Sequence, residues 1–76
     1  MRTVVLYGRP GCHLCEEARA GLLRMAAQKP FRLEEIDIEG DPELLLRYLE
    51  RIPVICVDGE EICELFLDEE ALASTL

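Results

Sequence analysis

Basic side chains are scarce in this sequence of 76 residues, which has 8 lysines and arginines against 16 aspartates and glutamates. The formal net charge of -8 would repel phosphate backbones and anionic membrane surfaces. We therefore expect neither nucleic acid nor a membrane among the partners of this protein. Such a surplus of carboxylates is typical of a well-solvated surface.

The sequence also lacks the features of an export signal and of a multidomain chain. Its N-terminus leads into an apolar strand by Thr3, without the basic region, apolar stretch and small-residue cleavage site of a secretory signal. No internal repeat, linker or low-complexity segment interrupts it. We expect residues 1–76 to form one globular domain that is monomeric and cytoplasmic.

Apolar periodicity predicts the first three elements. Residues 3–7 are mostly β-branched or aromatic, which indicates a buried strand. Between residues 12 and 29, apolar residues recur at three- and four-residue steps, which predicts an amphipathic helix closed by Pro30. Residues 31–38 show an approximate alternation that predicts a second strand, although two adjacent glutamates disturb its period.

Capping and turn residues predict the remaining elements. Asp41 and Pro42 are favoured at the start of a helix, and Asp68 is a suitable N-cap for a short last helix. We expect the inner face of the first of these helices to consist of Leu44, Leu45, Tyr48 and Leu49. Asp58 and Gly59, between two β-rich runs, predict a tight hairpin.

The predicted order of elements is therefore β-α-β-α-β-β-α. The first crossover should be parallel and right-handed, whereas the hairpin must be antiparallel. These rules give a four-stranded mixed sheet with helices on its faces, which is an α/β architecture of the thioredoxin fold.

The segment GRPGCHLCEE, residues 8–17, contains Cys12 and Cys15 at the predicted start of a helix. Residues at i and i+3 lie on one helical face about one turn apart, close enough for their sulfurs to bond. In a reducing cytoplasm, a Cys-x-x-Cys motif beside a strand-helix-strand pattern indicates redox catalysis or metal binding rather than a structural disulfide.

The two cysteines are predicted to have different roles. Cys12 is the expected nucleophile, because unpaired backbone N–H groups and the positive end of the helix dipole stabilise a thiolate there. Cys15 lies one turn further, in line with the apolar stripe, and should be less exposed. It is therefore suited to resolve the mixed disulfide that Cys12 forms with a substrate.

Four charged or titratable residues surround the pair. Arg9 would add to the stabilisation of a thiolate, whereas Glu16 and Glu17 would oppose it. His13, the only histidine, would stabilise the thiolate or shuttle a proton when protonated. The interpretation that we favour is that His13 is an exposed spacer whose charge merely tunes the site.

The cysteine segment also carries a family resemblance. VVLYGRPGCHLCEEA resembles the active-site segment of the glutaredoxins, and RPGCHLCEEA is especially similar to a family of small glutaredoxin-like proteins. The resemblance implies a thioredoxin fold, dithiol-disulfide exchange at Cys12 and Cys15, and a cis peptide bond before Pro53. It further implies that Pro53 packs beside the disulfide and that the backbone of Ile52 pairs with the substrate chain. The predicted substrate-binding residues are thus Arg9, His13, Ile52 and Pro53.

The predicted function is that of a thiol-disulfide oxidoreductase that reduces disulfides of proteins or small molecules. We expect an external thiol or reductase to supply the electrons, and no bound cofactor. Glutaredoxins that use glutathione typically have a Gly-Gly pair followed by aspartates after the hairpin. Here the stretch is ICELFLDEE, with Cys63 and Glu64 at the glycine positions and only Asp68 for an aspartate role. We therefore expect glutathione to be at most a weak reductant.

The alternative function is a metal-binding module. Structural zinc sites commonly use cysteine pairs with about two to four intervening residues, whereas six residues separate Cys56 from Cys63. A two-residue hairpin turn would place Val54 opposite Cys63, with both cysteines on one sheet face. A turn one residue longer would place them on opposite faces. Neither register suits a disulfide or half a zinc site, so we expect two small buried residues and no metal. An iron-sulfur cluster bridged between subunits, a role of some glutaredoxins, stays open.

Overall fold

The computed structural model describes all 76 residues and contains a four-stranded sheet and three α-helices. The strands are β1 (Thr3–Gly8), β2 (Arg32–Asp37), β3 (Val54–Val57) and β4 (Glu60–Glu64). The helices are α1 (His13–Gln28), α2 (Pro42–Tyr48) and α3 (Glu69–Ala73), and a 3-10 turn over Ile38–Gly40 precedes α2. The predicted order of elements is confirmed.

The sheet has the order β2-β1-β3-β4. β1 pairs in parallel with β2 through the α1 crossover, and antiparallel with β3. β3 and β4 form an antiparallel hairpin. The sheet is therefore mixed, as predicted, and β1 and β3 are its two central strands.

Each face of the sheet supports a separate apolar cluster. α1 and α3 contribute Leu22 and Leu72 to a cluster of eight buried residues that includes Val4 and Ile55. On the other face, residues from α2, the 3-10 turn and β3 form a second cluster, which consists of Ile38, Tyr48, Val54 and Cys56. The two clusters hold β1 and β3 between helices. This packing fixes the position of the end of β1, from which the chain continues to the cysteines.

The predicted inner face of α2 is wrong at one residue. Leu44, Leu45 and Tyr48 pack into the second cluster, but Leu49 is exposed. The reason is that α2 has only seven residues and ends at Tyr48, which leaves Leu49 at the C-cap. No helix of the protein combines the length and apolarity needed to cross a membrane.

The predicted helix caps and the hairpin turn are confirmed. A carboxylate oxygen of Asp41 accepts the N–H of Glu43 at 2.9 Å, and one of Asp68 accepts the N–H of Ala71 at 3.0 Å. Asp58 and Gly59 have φ angles of 49° and 89°, the left-handed conformation that a tight hairpin turn requires.

Candidate active site

The Cys12–Cys15 pair lies where β1 leads into α1. After Gly8 ends the strand, the chain turns through Gly11, whose φ of 79° is a conformation that glycine adopts without steric cost. The N–H of Cys12 donates to the carbonyl of Arg9 at 3.3 Å and closes this turn. The turn therefore places Cys12 at the N-cap of α1.

Cys12 and Cys15 are joined by a disulfide, with their Cα atoms 5.2 Å apart. Cys12 is the N-cap of the 16-residue helix α1, and its Sγ accepts the N–H of Cys15 at 3.1 Å. In the reduced protein, this N–H and the positive end of the helix would stabilise a thiolate at Cys12. Cys12 is half-buried and Cys15 is only 7% exposed, which confirms the predicted difference in their accessibility.

Gly8 is a residue of this site that the sequence did not single out beyond its place in a turn. A Cβ at Gly8 would lie 3.0 Å from the Sγ and 3.1 Å from the Cβ of Cys15. The missing side chain thus lets the end of β1 lie against the second cysteine. A glycine directly after an apolar strand and shortly before a Cys-x-x-Cys motif was the available signal.

Arg9 and His13 each have a carboxylate partner. The guanidinium of Arg9 is 2.7 Å from a carboxylate oxygen of Glu39, which follows β2. His13 Nε2 is 3.6 Å from a carboxylate oxygen of Glu17, one turn along α1, and both side chains are largely exposed. The partnership of Arg9 with Glu39 joins residues 30 positions apart in the sequence. The contribution of either base to thiolate chemistry stays a prediction.

The peptide bond between Ile52 and Pro53 is cis, as the family resemblance implied. Tyr7 pairs with Val54 in the antiparallel ladder, so Pro53 lies beside Gly8, at the end of β1 where the cysteine turn starts. Pro53 is fully buried and Ile52 is half-buried. The structure therefore brings the predicted proline to the same end of the two central strands as the cysteine pair.

The segment after β4 is fastened to this proline turn. The N–H of Leu65 donates to the carbonyl of Pro53 at 2.8 Å and to that of Arg51 at 3.0 Å. Leu65 itself has a φ of 71°, which is rare for a residue with a branched side chain. These bonds hold the start of the β4–α3 loop against the turn before β3.

The side chain of Arg51 strengthens the same junction. Its guanidinium donates to Glu61 at 2.5 Å and to Glu64 at 2.8 Å, and it lies 5.3 Å from the ring centre of Tyr48. The hydrogen bonds that Arg51 donates to Glu61 and then to Glu64 raise the pKa of Arg51, and the bond that Glu61 accepts from it lowers the pKa of Glu61. Glu64, at one of the positions where a glycine is typical of glutathione-using glutaredoxins, is therefore paired with Arg51.

The other two cysteines lie on opposite faces of the sheet. The hairpin turn has two residues, but the register of β3 and β4 shifts between Ile55 and Cys56. Ile55 pairs with Cys63, and Ile62 has no partner. The interpretation that a two-residue turn puts both cysteines on one face is wrong because of this irregularity. Cys56 packs with the α2 cluster, whereas Cys63 packs against the α1 and α3 cluster.

Burial is the main reason that the pKa values of the Cys56 and Cys63 thiols are raised. Cys56 is buried, as predicted, whereas Cys63 is only half-buried, so the prediction of two buried residues is wrong for Cys63. A zinc site built from all four cysteines would require thiolates that converge, and the sheet separates these two. No group of three or more His, Cys, Asp or Glu side chains is arranged to hold a metal ion.

The arrangement of three helices around this four-stranded sheet is that of the thioredoxin fold. Comparison with protein families gives the closer assignment, because residues 3–76 match the family described as glutaredoxin-like domain (DUF836). The chain therefore belongs to this glutaredoxin-like family, as the resemblance of its cysteine segment implied.

Individual proteins are also similar to this chain. The protein Ne2328 of Nitrosomonas europaea, solved by NMR, is 40% identical with a TM-score of 0.89, over 99% of this chain and 91% of that chain. The uncharacterized protein Rv0508 of Mycobacterium tuberculosis is 28% identical, covering 96% of this chain and 80% of its own length. A mutant thioredoxin of Halobacterium salinarum shares the fold, with 23% identity and a TM-score of 0.67, over 97% of this chain and 70% of that chain.

Proposed function

We propose that this protein is a thiol-disulfide oxidoreductase that cycles Cys12 and Cys15 between dithiol and disulfide. The observation that carries the proposal is the position of Cys12 at the N-cap of α1, where its Sγ accepts the N–H of Cys15 at 3.1 Å. The second thiol follows one turn later and within bonding distance. A stabilised thiolate next to a resolving thiol is what disulfide exchange requires.

The proposed reaction has two exchange steps. The Cys12 thiolate attacks one sulfur of a substrate disulfide, and the other substrate sulfur leaves as a thiolate that takes up a proton. Cys15, after losing its proton, attacks the Cys12 sulfur of this mixed disulfide and releases the second substrate thiolate. Two electrons pass from the cysteine pair to the substrate, and an external thiol or reductase returns them.

The substrates that we propose are disulfides of proteins or small molecules. A substrate chain would lie against the backbone of the half-buried Ile52, next to Pro53, at the end of the sheet where the cysteine pair lies. Arg9 and His13, on either side of Cys12 in the sequence, would contact the substrate from the cysteine turn and the first turn of α1. No bound cofactor takes part in either step.

The reaction can be tested by following thiols during mild oxidation. Two thiols are expected to disappear reversibly, and peptide mapping should find them joined as Cys12–Cys15, because these sulfurs are already in bonding range. Cys56 and Cys63 should stay reduced, because the sheet lies between them. A bridge between Cys56 and Cys63, with Cys12 free, would contradict the proposal.

Glutathione is expected to reduce the oxidised protein poorly, compared with a thioredoxin reductase in a coupled disulfide assay. Capture of a glutathione carboxylate by Arg9 would have to displace Glu39, which is 2.7 Å away. At the positions where glutathione-using relatives have glycines, Cys63 and Glu64 carry side chains that restrict the approach of a ligand to the backbone.

The Glu39→Gln variant separates these causes. It should accelerate reduction by glutathione by about threefold to fivefold, the range that an exposed ion pair can supply. Glu50→Gln is the matched control, since it makes the same change of charge at an exposed residue. Efficient, saturable reduction of the unmodified protein by glutathione, unchanged by Glu39→Gln, would show that the donor prediction is wrong.

A further inference from the structure

A groove of about 250 Å³ lies between α1 and the β4–α3 loop. Leu14 on α1 and Phe66 in the loop both line it, and they are 49% and 62% exposed. The buried residues Ala18 and Gly21 also line it, and Gly21 leaves space for Leu67, since a Cβ at Gly21 would lie 2.6 Å from Leu67 Cδ2. Large apolar side chains exposed together mark an interaction site.

The groove starts next to the cysteine pair in the sequence of α1. Leu14 lies between Cys12 and Cys15 in the first turn of α1. The loop that carries Phe66 is fastened to the proline turn through Leu65, whose N–H donates to the carbonyl of Pro53. Leu65 adopts a left-handed conformation with a φ of 71°, and such strained residues cluster at functional sites. A substrate bound at Cys12 would therefore lie close to Leu14, one of the residues that line the groove.

Size and charge indicate the occupant. Pockets for small-molecule ligands measure about 300 to 1,000 Å³, so this smaller groove suits a single amino-acid side chain. Its charged lining residues are Glu17, Arg24 and Glu69, with Arg24 at 3.9 Å from Glu69. Glu17 is the lining carboxylate that has no arginine partner. On a protein of net charge -8, it favours a ligand that has a basic residue next to the apolar side chain in the groove.

We propose that this groove binds an apolar side chain next to the reactive cysteine of a polypeptide disulfide, with a basic residue beside it. This inference rests on the exchange reaction proposed above and names the substrate class of the same site. The apolar side chain would displace water from Leu14 and Phe66, while its cysteine reaches Cys12. Polypeptides, rather than small disulfides, would thus be the preferred substrates.

The test uses reduced wild-type protein and symmetrical disulfides of short capped peptides, so that attack on either sulfur presents the same side chain. One peptide has lysine and leucine before its cysteine, and the other has serine in place of leucine. A hydroxyethyl disulfide, which has no side chain to bind, reports the exchange chemistry alone. Single-turnover rates are followed by chromatography of the released thiol.

The Phe66→Ser variant should slow exchange with the leucine peptide by about tenfold, which corresponds to losing about 50 to 60 Å² of apolar contact. Its rates with the serine peptide and the hydroxyethyl disulfide should stay unchanged. Leu46→Ser is the matched control, because Leu46 is an 89% exposed leucine on α2, across the sheet from α1. It should leave all three rates unchanged.

The outcomes distinguish the two proposals. Equal wild-type rates for the leucine and serine peptides would overturn the proposal that the groove binds an apolar side chain. An equal loss of rate on all three disulfides in Phe66→Ser would do the same. In both cases the proposed exchange at Cys12 would remain. Failure of the wild-type protein to react with any of the three disulfides would overturn the exchange reaction itself.

Discussion

Replacing Cys12 with serine is expected to reduce disulfide exchange to the background rate, because the nucleophilic thiolate is lost. Replacing Cys15 with serine should have a different result. The variant should still react with a peptide disulfide, but it should stop at the mixed disulfide, because the resolving thiol is absent. Mass spectrometry would then find one substrate thiol covalently attached to Cys12.

The controls for this experiment are Cys56→Ala and Cys63→Ala. Both remove a thiol, and the structure places these thiols in the two apolar clusters and not with the reactive pair. Exchange rates per folded molecule should therefore be unaffected. Attachment of substrate to the Cys12→Ser protein, or complete turnover by Cys15→Ser, would show that the assigned roles are wrong.

Replacing Leu22 with alanine is expected to lower the free energy of unfolding by about 3 kcal/mol, the usual cost of removing a fully buried leucine side chain. Leu22 is 0% exposed in the cluster between α1 and the sheet. A domain of this size has a total stability of only about 4 to 11 kcal/mol. The midpoint of thermal unfolding should fall by about 15 °C, as measured by circular dichroism.

The neighbouring residue supplies the control, since Leu23 is 47% exposed on the same helix. Leu23→Ala makes the same chemical change and the same change of helix propensity as Leu22→Ala, but it should lower the free energy of unfolding much less. Equal losses in the two variants would mean that α1 faces the sheet differently from this structure, and that the cysteine geometry would have to be reconsidered.

Local signals in the sequence were sufficient for the main features. Asp41 and Asp68 are N-caps, and Asp58 with Gly59 makes the hairpin turn, because each acts on backbone groups only a few residues away. The position of Cys12 at the start of α1 was predictable for the same reason. Its distance from Cys15 follows from helical geometry alone.

Features that depend on distant parts of the chain were not predictable from such patterns. The ion pair between Arg9 and Glu39 requires the end of β2 to meet the cysteine turn. The irregularity at Ile62 is set by how β4 fits both β3 and the apolar cluster, so no turn residue encodes it. The left-handed Leu65 depends on carbonyl groups before β3. In each case, packing rather than local propensity decides the conformation.

The two outer strands have a consequence for how copies of this protein meet. Three of the six residues of β2 and three of the five residues of β4 are acidic. An unpaired strand edge is otherwise a template for hydrogen bonding to another molecule. Charged side chains along such an edge hinder the approach of a second strand. Several of these carboxylates are held in ion pairs, with Arg19 and Arg32 on the β2 side and with Arg51 on the β4 side. The charged residues of β2 and β4 thus oppose growth of the sheet from one molecule into the next.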